Sequence, residues 1–173
     1  TGNGIGADAF AIIWQKGKIY GINGSGPAPK ALSVAALKER GYDKIPSYGI
    51  EPIDVPGAPA TWAAVNERFG RRSLAENMEL AAQYAENGYP VSPMMSYLWN
   101  EAYGTYTKER ETKPEMQGFF DVFCPNGRPL QPGEIFKAPQ LAKTLREIGR
   151  TNAESFYRGE LAARIGDFFK KYN

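Results

Sequence analysis

The chain has 173 residues, 42% of them hydrophobic and 23% charged, which is enough to bury a core of its own. Its 21 basic and 19 acidic residues are scattered and leave a net charge of +2, so nothing in the balance favours nucleic acid or a charged membrane surface as a partner. There is no histidine and one cysteine, which removes the usual general base, every Ser-His or Cys-His nucleophile pair, the commonest metal ligand and any internal disulfide.

In chain order, residues 9 to 23 hold two short apolar runs around Gln15-Lys16-Gly17, the pattern of a β-hairpin. The first run is apolar on nearly every residue, which predicts a strand covered on both faces within a larger sheet. After the loop GSGPAP, Ser33 is placed to cap a short helix ending near Gly41, and residues 42 to 60, with four prolines, read as an irregular connector. From Pro59 onward helices dominate. One runs to about Phe69 before Gly70. The next opens on the capping box Ser73-Leu74-Ala75-Glu76 and closes at Gly88, with Leu74, Met78, Ala81, Ala82 and Ala85 as its core stripe. Ser92-Pro93 starts a helix carrying Tyr97, Trp99, Tyr103 and Tyr106, rings expected to fill a core or interface. Residues 107 to 118 are polar and expected to be exposed or mobile, and a turn at Pro125-Asn126-Gly127 follows. Pro139 opens a helix to about Gly149, Thr151-Asn152-Ala153-Glu154 reads as a second capping box, and Leu161, Ile165, Phe168 and Phe169 give the last helix an apolar face.

No run approaches the roughly 18 apolar residues of a membrane span, so no membrane partner is expected. Gly2-Asn3-Gly4-Ile5-Gly6-Ala7 fits G-x-G-x-x-A, yet it precedes a strand instead of following one and opening a helix, so a dinucleotide site is rejected. Those glycines are read instead as backbone that turns tightly or passes close to another segment. Cys124, beside Pro125, is expected to be a packed thiol, and the sequon Asn23-Gly24-Ser25 is taken as a chance match.

Several segments in fixed order then converge. GNGIGADAFAIIW followed by GKIYGINGSGPAP resembles the large-subunit run of gamma-glutamyltranspeptidases, in which a G-I-G-G-G-G-F stretch leads into a strand and then D-x-R-E-x-A-P. Val55-Pro56-Gly57, Gly88-Tyr89-Pro90-Val91-Ser92, Pro129-Leu130-Gln131-Pro132-Gly133, the run from Pro139 to Leu145 and Phe156-Tyr157-Arg158-Gly159 continue the same order, across nearly the whole chain.

The resemblance implies an α+β chain that is part of the four-layer αββα fold of N-terminal-nucleophile hydrolases. Residues 1 to 173 would form a single partial domain, the large-subunit segment of a longer self-processing precursor. The threonine nucleophile and the glycine oxyanion hole would lie in a small subunit outside this chain, its partner. No catalytic residue is therefore expected here, and no cofactor or metal is needed. Thr1 could in principle be a terminal nucleophile using its own amine, but the residues after it resemble the interior of a large subunit, so it is read as no more than the point where this chain starts.

Counting back from Ala28-Pro29, the aspartate, arginine and glutamate of D-x-R-E-x-A-P fall on Asn23, Ser25 and Gly26, which makes these three the substrate-binding candidates. In the family that arginine grips the donor's α-carboxylate. Ser25 replaces a bidentate cation with a neutral hydroxyl, so glutamyl recognition does not carry over, and the chain looks like the transpeptidase-like or cephalosporin acylase branch. Ser25→Arg, with Gly26→Glu to orient it, would be the change that restores it. The alternative for this loop is that Ser25 merely closes a turn.

The function implied is an amidohydrolase or acyltransferase acting on a small-molecule amide, with a homo-oligomer of the processed heterodimer compatible with it. Two rivals stand beside it: a true gamma-glutamyltransferase or glutathione hydrolase that binds its donor by other residues, and a noncatalytic scaffold or binding protein of the same fold. The threonine in the remaining sequence discriminates between enzyme and scaffold.

Overall fold

In the computed structural model the described residues are 3–172, so Thr1 lies outside them. The chain begins with the hairpin the sequence predicts. Strands β1 (Ala9–Gln15) and β2 (Lys18–Gly24) pair antiparallel in the register Ala9 to Gly24 through Gln15 to Lys18. The two-residue turn takes positive φ at both Lys16 (49°) and Gly17 (76°), the mirror-image turn whose twist matches the strands.

Eight α-helices follow among the described residues. Helix α1 (Val34–Glu39) is capped by the Ser33 side chain, and the expected connector leads to α2 (Ala58–Phe69). Helix α3 (Leu74–Asn87) opens on the complete Ser73/Glu76 capping box, and Gly88 (φ 93°) leads into β3 (Tyr89–Pro90). Helix α4 (Pro93–Glu109), capped by Ser92, precedes α5 (Gln117–Phe123). The short strand β4 (Ile135–Phe136) pairs with β3, and α6 (Pro139–Arg150), α7 (Glu154–Arg158) and α8 (Glu160–Tyr172) complete the chain.

Helices α3 and α6 form the tightest pairing. Ala82, Ala142 and Ile148 are fully buried between the helices and their neighbours. Gly149 faces the first turn of α3, where a Cβ would come within 2.9 Å of the Ala75 Cα, so only glycine allows this approach. A second cluster joins Val91, Trp99, Leu130 and Phe136, with Phe123 stacked on Phe136 at 5.6 Å. Cys124 is buried, and burial pushes its thiol up, in keeping with a packed role.

Two expectations are corrected and two are narrowed. Residues 107 to 118 include no buried residue, as expected of an exposed segment, but they are helical at both ends: α4 runs on to Glu109, Lys113 pairs with Glu109, and α5 begins at Gln117, with Phe119, Phe120 and Phe123 just beyond packing on Tyr106, Tyr103 and Trp99. Thr151-Glu154 is not a capping box. Thr151 ends α6, its hydroxyl donates to the Glu147 carbonyl at 2.8 Å and accepts from the Ser155 amide, while Asn152 and Ala153 take left-handed φ. Ala81 and Tyr97 are exposed, whereas Ala82 and Trp99 on the same helices are buried. Gly4 and Gly6 make the expected turn, with the Ala7 amide donating to the Gly4 carbonyl, but a Cβ at either would meet nothing among the described residues.

The hairpin is open on one side within this chain. One of its faces packs on α2 through Tyr20 against Phe69, whereas Phe10, Ile12, Trp14 and Ile19 on the other face are 69 to 84% exposed. Within this chain the apolar strand is therefore covered on one side only.

Candidate functional site

The end of β2 turns sharply at the residues singled out from sequence. The Asn23 side-chain oxygen accepts from the Ser25 amide (2.9 Å) and from the Ser25 hydroxyl (2.8 Å), so the asparagine folds the backbone back on itself. One residue on, the Gly26 amide donates to Asp8 Oδ1 at 2.8 Å. The Gly57 amide, which opens α2, donates to the same oxygen at 3.3 Å. A carboxylate there also complements the positive end of the α2 dipole.

This arrangement requires glycine at two points of backbone approach. A Cβ on Gly26 would lie 1.5 Å from the Val55 carbonyl oxygen, and one on Gly57 would lie 1.9 Å from the Gly24 carbonyl oxygen. Around them the Val55 amide donates to the Pro27 carbonyl (3.0 Å) and the Ala58 amide to the Ala7 carbonyl (2.8 Å). The segments GAD, NGSGP and DVPG thus interlock through backbone bonds and one side chain.

The turn walls an open cleft of about 400 Å³, closed on the other side by Val55–Gly57, the first turns of α2 and Tyr157 of α7. Tyr157 is fixed at both lone pair and proton: its hydroxyl donates to the Pro56 carbonyl at 2.7 Å and accepts from the Ala60 amide at 3.1 Å. Burial raises its phenol, and Asp8 adds to the rise. Behind the turn, burial and then the neighbouring Asp8 charge hold the Asp54 carboxyl above its ordinary range. No lysine or arginine lines the cleft among the described residues. Nor do three or more metal-ligating side chains gather anywhere among them, and none of their helices is long and apolar enough to cross a membrane.

Compared with known proteins, residues 1–173 match the gamma-glutamyltranspeptidase family over their whole length. The chain belongs to that family. It is 35% identical over 167 residues to the glutathione hydrolase-like YwrD proenzyme of Bacillus subtilis, a match covering 94% of this chain and 30% of the relative. It is 31% identical over 170 residues to the oxamate amidohydrolase proenzyme of Klebsiella pneumoniae, covering 94% of this chain and again 30% of the relative. The crystal structure of cephalosporin acylase from Bacillus halodurans superposes with a TM-score of 0.94 at 46% identity, covering 99% of this chain and 32% of that one. The chain thus spans about a third of the length of these relatives. The α+β class and the N-terminal-nucleophile hydrolase fold expected from sequence are the ones it shares with these family members.

The structure brings Asn23, Ser25 and Gly26 together at the lip of the cleft, Asn23 and Ser25 exposed and Gly26 half-buried. Ser25, on which the resemblance places the family's arginine, has its hydroxyl already donating to Asn23. Gly26, on which the resemblance places the family's glutamate, has no room for a Cβ, so Gly26→Glu cannot orient an arginine on this backbone. Sequence reasoning missed Asp8 as a partner of the turn. Gly57 and Tyr157 appeared only inside segments of family resemblance. No spacing rule joins positions 8, 26, 57 and 157, which meet only through the tertiary fold.

Proposed function

We propose that this chain forms part of an amidohydrolase or acyltransferase that cleaves a small-molecule amide through a threonine nucleophile outside it, on a small subunit cut from the same precursor. In that reaction the threonine hydroxyl attacks the amide carbonyl while the threonine's own α-amine takes its proton. Backbone amides stabilise the oxyanion, the C–N bond breaks, and the leaving amine departs with the proton. Water, or an acceptor amine, then releases the acyl group from the threonine ester.

The observation that carries this reading is the cleft at the Asn23–Gly26 turn, in a chain whose relatives are named hydrolase, amidohydrolase and acylase proenzymes. The bare hairpin face supports the partner: Phe10, Ile12, Trp14 and Ile19 form an apolar patch of the kind that marks an interface, and a strand apolar on both sides suits a place between two layers. The cation-free lining favours an acyl group held by shape and neutral hydrogen bonds over a glutamyl donor gripped at its α-carboxylate.

The test is to assay the full-length processed protein for amine release from oxamate, glutathione, a γ-glutamyl anilide and an acylated cephalosporin, beside a variant with alanine at the threonine that opens the small subunit. Release from at least one amide, abolished in that variant, is expected. Efficient glutathione turnover would favour the glutathione hydrolase reading instead, and a full-length sequence without the threonine would favour a noncatalytic protein.

A further inference from the structure

Asp8 touches no face of the cleft, yet two walls of the cleft are tied to one of its oxygens. Its Oδ1 accepts from Gly26, at the end of the turn that carries Ser25, and from Gly57, where α2 begins. These partners lie 18 and 49 residues away in sequence. The Asn3 side chain donates to the Asp8 carbonyl at 2.9 Å, and the neighbouring Ala7 carbonyl accepts from Ala58, so the aspartate's own backbone is fixed from both sides.

The surroundings leave little freedom. A Cβ on Gly26 or on Gly57 would collide with the opposite strand of backbone, so the two amides reach the carboxylate because both residues are glycine. The like-charged Asp54 and the Tyr157 hydroxyl feel the same carboxylate, which places Asp8's charge beside the cleft's inner wall.

We propose that Asp8 is a positioning residue for the substrate cleft: by holding the Gly26 and Gly57 amides on one carboxylate oxygen, it fixes the Asn23–Gly26 turn against the start of α2 and so sets the shape the acyl group meets. This rests on the amide-cleaving reading given above. Asp8 acts through the turn, so its loss weakens substrate binding more than the chemical step at a nucleophile on another subunit.

The test uses the full-length processed protein as wild type, Asp8→Ala and Asp8→Asn. Hydrogen exchange is followed by mass spectrometry on peptides covering residues 22–28 and 55–60, and steady-state kinetics on whichever of the four amides above the wild type cleaves. In Asp8→Ala both peptides should exchange about tenfold faster or more and KM should rise by a similar factor with kcat within about threefold, the size expected for losing a hydrogen bond to a charged group. Asp8→Asn, which keeps an acceptor oxygen in place, should restore both to within about threefold of wild type. Unchanged exchange in Asp8→Ala overturns the proposal, as does altered exchange with an unaltered KM or a loss carried by kcat alone. Should Asp8→Ala fail to accumulate as folded protein, Asp8→Asn decides, because fast exchange of the turn in that variant is equally fatal. A wild type inert on all four amides sinks the functional reading instead, while the exchange data still show whether Asp8 holds the turn.

Discussion

The α3–α6 pair and the β1–β2 hairpin each present an apolar face, and the two faces end in opposite conditions. Between the helices, Ala82, Ala142 and Ile148 have no exposed surface, and backbone meets backbone at Gly149 and Ala75. On the hairpin, Ile12 is 84% and Trp14 72% exposed. The difference lies in what each element needs for cover. A helix buries one stripe, and one neighbouring helix satisfies it. A strand apolar on both faces needs two layers, of which this chain supplies one, α2.

The contrast between helix pair and hairpin is most sharply tested by emptying each of an isoleucine. Ile148→Ala leaves a cavity in a site that has no solvent to fill it and should cost about 2–5 kcal/mol in urea unfolding, whether measured in residues 1–173 alone or in the full-length protein. Ile12→Ala should behave differently in the two settings. In residues 1–173 alone, at low concentration, it should move stability by no more than about 0.5 kcal/mol and reduce binding of an apolar dye. In the full-length protein, with the face covered, it should approach the cost of Ile148→Ala. Equal, near-zero effects in both would show that the bare face stays bare. Residues 1–173 expressed alone should expose apolar surface or aggregate, and a monomeric, cooperatively unfolding fragment that binds no such dye would count against a second layer.

A smaller effect is expected at the turn. Gly26→Glu forces a Cβ into the Val55 carbonyl and should cost about 1–3 kcal/mol, the range of overpacking, with loss of protection in the turn by hydrogen exchange. Ser25→Arg, at an exposed residue, should stay within about 0.5 kcal/mol of wild type in the same unfolding experiment. If the double substitution is as stable as Ser25→Arg alone, the turn has another accessible backbone path.

What is legible in the sequence divides along the same line. Ser33, Ser73 and Ser92 read as caps because a cap is settled within four residues, and the hairpin turn is readable because Lys16-Gly17 suits its positive φ angles. Thr151 misleads because its hydroxyl has a closer use on the end of α6. Helix α5 is hidden because its start is polar and it is only 7 residues long, too short for Phe119, Phe120 and Phe123 to repeat as a stripe. At the cleft, the positions of Asn23, Ser25 and Gly26 come from resemblance, and their mutual turn is the alternative that the sequence leaves open. Asp8, Gly57 and Tyr157 escape any pattern, since each contributes through a contact to residues tens of positions away.

The smallest effect contrasts a carboxylate outside both elements with one near the hairpin, by the sign of their titration. Beyond the β3–β4 pair, the Glu134 carboxylate takes both Arg128 guanidinium nitrogens, at 2.7 and 2.8 Å, and the Gln131 amide at 2.6 Å. The Arg128 contacts first, and then that amide, lower it from 4.5 to about 2. A carboxylate depressed in the folded state contributes stability that is complete above its unfolded value and fades as pH falls from about 4.5 towards 2. Asp54, beside Asp8 near the hairpin, is raised from 3.8 by burial and by its neighbour, so its contribution runs the other way: full below 3.8 and lost as pH rises through the folded value. Both groups are small contributors, Glu134 because the pair is exposed to solvent and screened by salt. Melting temperatures measured from about pH 2 to 7 for wild type, Glu134→Gln and Asp54→Asn should therefore diverge in opposite directions. Glu134→Gln should lose most relative to wild type near neutral pH and converge with it in acid, less so in high salt. Asp54→Asn should match wild type in acid and gain on it towards neutral pH. Two difference curves of the same sign would mean that neither burial nor the neighbouring Asp8 holds Asp54 above its ordinary range.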